Sequence, residues 1–427
     1  MLRLSTSAFS FTPARSMPLA GYVQRSGAHE GIDGDLEAVF LLLSDQDGNR
    51  ILIGGVDTLF LTEASLSDVK DALGNVQMPL FLFATHTHNA PSLAPDLPGL
   101  GRYDPEWYRH FVSGCARTIK ELVARQNAGQ PVTVGYGKQQ TELSVNRRLP
   151  SRVLDYPALL HQHRLIFERR IALAENKDGF VDPYVYAIFL EDSRDTVRGI
   201  IWSLAVHPAR YPRFNRVSPD FPGLIRDALR RRFGKDCAVL YVPGFAGSAV
   251  PSMARHLPTS WKELCLKILP FYPLSLPADA ATYQDWVNRL LTAMLGAYAA
   301  REDSDDASGI AFSHGSTADI FRSHKKGPDI GLRIARVSLG DDLNILGFNG
   351  EMLGEWMPLL SSVITGKVLF SGYMAGRALY VPTSPQIPEG GYEVTGFQNA
   401  FGLDGEFDPE ISEKVTSATA ALYRRTA

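Results

Sequence analysis

Residues 79–89 read Pro79-Leu80-Phe81-Leu82-Phe83-Ala84-Thr85-His86-Thr87-His88-Asn89. The first half is a short, continuous apolar run, the pattern of a strand buried on both faces. Two histidines follow at once, and a buried strand that ends this way delivers them to the sheet edge, where clefts form. On an extended chain, His-x-His points both rings to one face, about 6–7 Å apart. One can then hold a metal while the other acts beside it. The bland alternative is a pair of capping or core histidines.

Outward from this stretch, strands and helices alternate. Ala38 to Ser44 reads as a strand, Asp45-Gln46-Asp47-Gly48 as a hairpin turn and Arg50 to Ile53 as the partner strand. Arg3 to Phe11 alternates with period two, and further strand patterns lie at 132–137, 185–191, 198–206, 238–243, 332–339 and 343–348. Helices are predicted from Ser65 (as N-cap) to Leu73, from Pro105 (opened by Asp104) to Ala128, over 221–233 and from Gly350 to Val363. Residues 253–300 are helical in pattern and broken by Pro270, Pro273 and Pro277, which suggests an inserted helical segment. Glu302-Asp303-Ser304-Asp305-Asp306 reads as a solvated turn. No repeat or linker interrupts the chain. The expectation is one α/β domain over 1–427, with mixed β-sheets and flanking helices.

Composition narrows the function. The 427 residues carry 46 acidic and 43 basic side chains, a net charge of −3 that offers no basic excess for nucleic acid. Cys115, Cys237 and Cys265 are too few and too scattered for a disulfide framework or a thiolate metal site, and an odd count suits a reducing compartment. No run of about 18 apolar residues could span a membrane. The N-terminus lacks the apolar stretch of a secretory peptide, so a cytoplasmic location is predicted.

His207 closes the run Gly199 to Val206 and is followed at once by Pro208, so a second strand end delivers a histidine. A catalytic zinc commonly takes three protein ligands, often two His and one Glu, and leaves a position for water. Glu351 emerges after the apolar strand ending at Phe348, beside Gly350. A helix N-terminal acid is its bland explanation, and Glu355, one turn later, reads as the outer face of that helix. His161-Gln162-His163 sits among Arg164, Glu168, Arg169 and Arg170, which marks a solvated helix rather than a site.

Together these blocks resemble the neutral/alkaline ceramidases and their smaller bacterial relatives. Ser16-Met17-Pro18-Leu19-Ala20-Gly21-Tyr22 is similar to that family's N-terminal segment, and Thr85-His86-Thr87-His88 to its His-Thr-His motif. Asn146-Arg147-Arg148 is similar to an Asn-Arg signature. Ala205-Val206-His207-Pro208, with Ser218 to Gly223, resembles the second histidine block, and Gly350-Glu351 the glutamate block. Tyr380-Val381-Pro382-Thr383, followed by Gly391-Tyr392-Glu393, has the spacing of the tyrosine block. The resemblance implies a neutral-ceramidase-like catalytic domain and a Zn²⁺ amidase acting on a small N-acyl substrate. It implies that His86, His207, Glu351 and Tyr380 surround the metal, that His88 is an acid/base group and that Arg147 holds the polar head of the substrate. For Tyr380 the residues alone suggest only a strand aromatic.

The chain departs from the family at two places. Gly247-Ser248-Ala249-Val250-Pro251 stands where the family has Gly-Asp-Val-Ser/Asn-Pro, and Asn89-Ala90-Pro91-Ser92 where ceramidases have Ser-Gly-Pro-Gly-Gly. The second segment is expected to line the cleft, so a different substrate is expected. The chain ends soon after the tyrosine block, which predicts no C-terminal Ig-like domain, no sphingolipid-membrane substrate and no stable membrane insertion. Homo-oligomerisation is left open. Two alternatives stand: a binuclear metallohydrolase of another class, and a non-catalytic binding homologue. Adjacent arginines on an extended strand point to opposite faces, so at most one enters the cleft easily, and the resemblance selects Arg147 rather than Arg148.

Overall fold

The computed structural model describes residues 2–424 apart from 24, 126–127, 155–162, 254–278, 305–307 and 325–328. A nine-stranded sheet carries β1 (Leu2–Ser10), β2 (Glu37–Ser44), β3 (Arg50–Val56), β4 (Leu80–Ala84) and β5 (Gln130–Gln140). It continues through β8 (Tyr184–Glu191), β9 (Val197–Leu204), β10 (Ala238–Tyr241) and the short β12 (Glu302–Asp303). The order is β10-β9-β8-β5-β1-β2-β3-β4, with β12 on β5, and only β3/β4 and β9/β10 run parallel among its pairs. The acidic segment 302–303 is therefore an edge strand rather than a turn.

A second sheet, β17-β15-β14-β13-β19, joins β13 (Ile310–Ser323), β14 (Ile330–Leu339), β15 (Leu343–Phe348), β17 (Lys367–Ser371) and β19 (Gly405–Phe407). Here β15 and β17 are the parallel pair. The two sheets pack face to face. Leu41, Leu43, Ile51, Ile53, Phe81 and Phe83 meet Val337, Leu339, Ile345 and Leu369 in one core. The alternate residues Phe40, Leu42, Leu52 and Leu82 face the other way, onto Trp107, Phe111 and Ile119 of α2 (Pro105–Ala124), beside α1 (Glu63–Leu73). This double burial is why β2 and β4 read as unbroken apolar runs.

Helices α3 (Asp220–Phe233) and α4 (Ala280–Ala299) cover β8–β10 through Phe221, Ile225, Trp286 and Leu290. Short α5 (Trp356–Ser361) and C-terminal α6 (Ile411–Arg424) cover the second sheet. The layers run helix, sheet, sheet, helix. Of the proposed helical insertion, 254–278 lies outside the described residues, and α4 accounts for most of the remainder.

Several local expectations shift by a few residues. Thr62, not Ser65, caps α1, and the Thr62 N–H donates to Ser65 Oγ to complete a capping box. The helix expected from Gly350 is shorter, because Glu351–Met352 (β16) pairs with Tyr380–Val381 (β18) and consumes its first turn. Glu168, Arg169 and Arg170 lie on β7 (Phe167–Asn176), paired with β6 (Ser144–Leu154), rather than on a helix. His161 falls outside the described residues.

Candidate functional site

Strands of both sheets end at the same place. The first sheet supplies His86, two residues past β4, and His207, three past β9; the second supplies Glu351 after β15. After β4 the chain stays beside the end of β3, with Thr85 N–H and His86 N–H donating to Val56 O and Thr58 O at 2.9 Å each. His207 N–H donates to Ala249 O of β11 (Ala249–Pro251) at 3.0 Å, and Glu351 N–H to Leu379 O at 2.8 Å. The His-x-His segment is not extended as expected. His86 adopts a left-handed φ of 64°, and its ring centroid lies 5.1 Å from that of His88.

The result is a buried cluster of three imidazoles. His207 Nε2 lies 3.0 Å from His86 Nε2 and 3.1 Å from His88 Nε2, and Glu351 Oε2 lies 3.4 Å from His86 Nε2. A tetrahedral ion with bonds of about 2.0 Å spaces its ligands about 3.3 Å apart, so these donors have the spacing of a metal site. Tautomers support the fit. His86 Nδ1 donates to Leu59 O at 2.8 Å, which turns its Nε2 toward His207 Nε2 at 3.0 Å. Nitrogens this close need a cation or a proton between them.

Protons on His88 and His207 are disfavoured. Burial, then the neighbouring His86, Arg25 and Arg147, hold His88 well below the usual histidine value. Burial, then Arg147, His86 and His88, do the same to His207. Both are neutral at pH 7 in the metal-free protein, whereas the unfolded chain takes up protons below about pH 6.5. Their neutral-state stability is therefore full above that value and is lost as pH falls, by up to about 1.4 kcal/mol per pH unit for each group. Asp220 and Asp182 act in the opposite sense, since burial pushes both carboxyls up to about 6. Metal-free protein is accordingly expected to be about 1 kcal/mol less stable at pH 6.0 than at pH 7.5, as read by denaturant unfolding. Equal or greater stability at pH 6.0 would contradict neutral histidines.

Around the cluster, aromatic rings set the walls. Phe60 meets His86 edge-on, and Tyr22 lies against His88 at 4.8 Å between centroids. Gly21 must be glycine: its φ is +101°, and a Cβ there would fall 2.5 Å from His88 Nδ1. Arg25 ties this loop down by donating to His88 O and Ala20 O at 2.8 Å each.

Arg147 and Tyr380 stand together, Arg147 Nη2 donating to Tyr380 Oη at 3.0 Å. Burial, then Glu351, push the Tyr380 phenol well above its usual value, so it is protonated at neutral pH. Arg147 and Arg148 do not diverge as expected. Arg147 Nε donates to Glu393 Oε1 and Arg148 Nη1 to Glu393 Oε2, both at 2.9 Å. Strict alternation requires a regular ladder, and the β6–β7 register slips between Asn146 and Arg148.

Ser248 and Glu355 form a separate pair. Ser248 Oγ donates to Glu355 Oε2 at 3.1 Å and accepts from Gly354 N–H, while Asn146 Nδ2 donates to Glu355 Oε1 at 3.2 Å. Glu355 thus faces inward instead of lying on an outer helix face. Asn89 and Ala90 are buried, and Asn89 Nδ2 donates to Arg216 O at 2.9 Å, so this segment braces the 213–216 loop. Tyr373, Glu393 and Arg25 carry contacts to which sequence reading gave no role. Only Glu393 had a signal, through its place in the tyrosine block.

No protein-family model and no curated protein sequence matches this chain. Among solved structures, neutral ceramidase from Pseudomonas aeruginosa matches 99% of this chain and 75% of its own, with a TM-score of 0.72 at 17% identity. A ceramidase complexed with C2 matches the same shares with a TM-score of 0.69 at 16% identity. The chain therefore has the neutral-ceramidase fold, as the sequence blocks implied.

Proposed function

We propose that this protein is a zinc-dependent amidohydrolase that cleaves a linear N-acyl bond in a small molecule. One observation carries the reading: a buried set of His86, His88, His207 and Glu351 at the meeting point of two sheets, in a fold shared with ceramidases. His86, His207 and Glu351 would hold the ion, with Tyr380 as the further ligand that the resemblance implies. Bound Zn²⁺ would supply Lewis acidity and lower the pKa of a water to about 7.

The remaining steps belong to the chain. Arg147 grips the polar part of the substrate, and its planar guanidinium suits a carboxylate or a polarised carbonyl. Arg147 and Tyr380, hydrogen-bonded to each other, stabilise the developing oxyanion. His88, neutral at pH 7, takes a proton from the attacking water and returns it to the leaving amine. The changed segment at 89–92, which braces the 213–216 loop, favours a substrate other than ceramide. Among the described residues no helix is long and apolar enough to cross a membrane.

Position favours a second reading of His88, because its Nε2 lies as close to His207 as His86 does. Replacement by alanine separates the two roles. An acid/base His88 predicts retained zinc and a kcat lower by about 10²–10⁴-fold. Zinc lost with activity would make His88 a ligand instead. The whole proposal is tested by stripping the protein with a chelator, restoring one equivalent of zinc and assaying a panel of N-acyl amides. Zinc-restored hydrolysis is expected at one ion per chain. Two ions per chain would favour a binuclear enzyme, and zinc binding without hydrolysis a binding protein.

A further inference from the structure

Tyr373 has no part in the chemistry above, yet it touches three of the four clustered side chains. Its Oη donates to Glu351 Oε2 at 3.2 Å and lies 3.5 Å from His207 Nδ1, while its ring sits 4.3 Å from that of His86. A neutral phenol has one proton to give. Here that proton goes to Glu351 Oε2 and so orients one carboxylate oxygen of the cluster.

The backbone of Tyr373 is placed as unusually as its side chain. Its N–H donates to Gly350 O at 3.2 Å and its carbonyl accepts from Ala84 N–H at 3.1 Å. One residue thus joins the segment beside Glu351 to the strand end beside His86, and so joins the two sheets. It does this at a φ of +58°, a left-handed conformation that L side chains rarely adopt. Backbone strain of this kind persists only where the surroundings impose it, and it gathers at functional sites. His86 shares it, at a φ of 64°.

We infer that Tyr373 is the positioning residue of the metal centre: it fixes the Glu351 carboxylate for coordination. The inference rests on the metal reading of the cluster. Hydrogen-bond partners of metal ligands typically contribute 10–100-fold in affinity.

Tyr373→Phe keeps the ring and the bulk and removes only the hydroxyl. Zinc affinity of wild type and variant is measured by competition with a chelator at fixed pH, after near-UV circular dichroism shows that both metal-free proteins are folded. The variant is expected to bind zinc about 10–100-fold more weakly. In a Glu351→Ala background the same change should cost less than about threefold, because the carboxylate it positions is gone. Unchanged affinity in the Phe variant would overturn the inference, and so would an equal loss in both backgrounds, which marks a general packing effect. A wild-type protein that binds no zinc would instead overturn the metal reading itself.

Discussion

His207→Ala is expected to lose its zinc and at least about 10³-fold in kcat/KM, equivalent to about 4 kcal/mol of barrier. His207 is the hub of the cluster, since its Nε2 is the atom nearest to both other imidazoles. The side chain is 1% exposed, so no solvent molecule or surface group stands ready to replace it. Without it, His86 and His88 keep their backbone anchors but lose the nitrogen that lies between them. Metal analysis and steady-state kinetics on the same preparation test this, with circular dichroism to confirm the fold. Near-normal zinc in a folded His207→Ala protein would remove His207 from the ligand set and with it the proposed centre.

His207 also marks what a sequence can disclose. It was legible because an apolar strand ran straight into it and a proline stopped the strand, as with the run that ends at His86. Both signals are local, and the strands carry them because they are buried on two faces. Tyr373 had no such signal. It is one of 16 tyrosines, it follows an ordinary strand, and its importance comes from partners 22 and 166 residues away. The same non-local cause shortened α5, since the pairing of Glu351 with Tyr380 cannot be read from the helical pattern of 350–363. Arg148 failed differently. The alternation rule was sound, but the ladder beneath it slips, and a bulge leaves no reliable mark in the residues.

That slip shapes the second large effect. Glu393→Gln is expected to destabilise the protein by about 3–5 kcal/mol, the usual cost of breaking a buried charge pair from one side. Glu393 is fully buried in the turn Tyr392–Gly396, and each of its oxygens accepts from a different arginine. Without the carboxylate, Arg148 retains Glu389 and the Gly390 carbonyl, each at 3.0 Å. Arg147 retains the neutral Tyr380 hydroxyl and the faces of the Tyr380 and Tyr392 rings, with no second carboxylate bonded to it among the described residues. The buried charge left least compensated is thus the one proposed to meet substrate. Arg148→Ala should accordingly lower stability, because Glu393 then rests on one guanidinium, with a small change in kcat/KM. Arg147→Ala should also lower kcat/KM by at least about tenfold, roughly 1.4 kcal/mol, with zinc content intact. Denaturant unfolding and kinetics on the three variants separate these roles. Equal kinetic losses from both arginines would make the whole triad a structural brace, and a Glu393→Gln protein as stable as wild type would show that the two guanidiniums do not depend on the carboxylate between them.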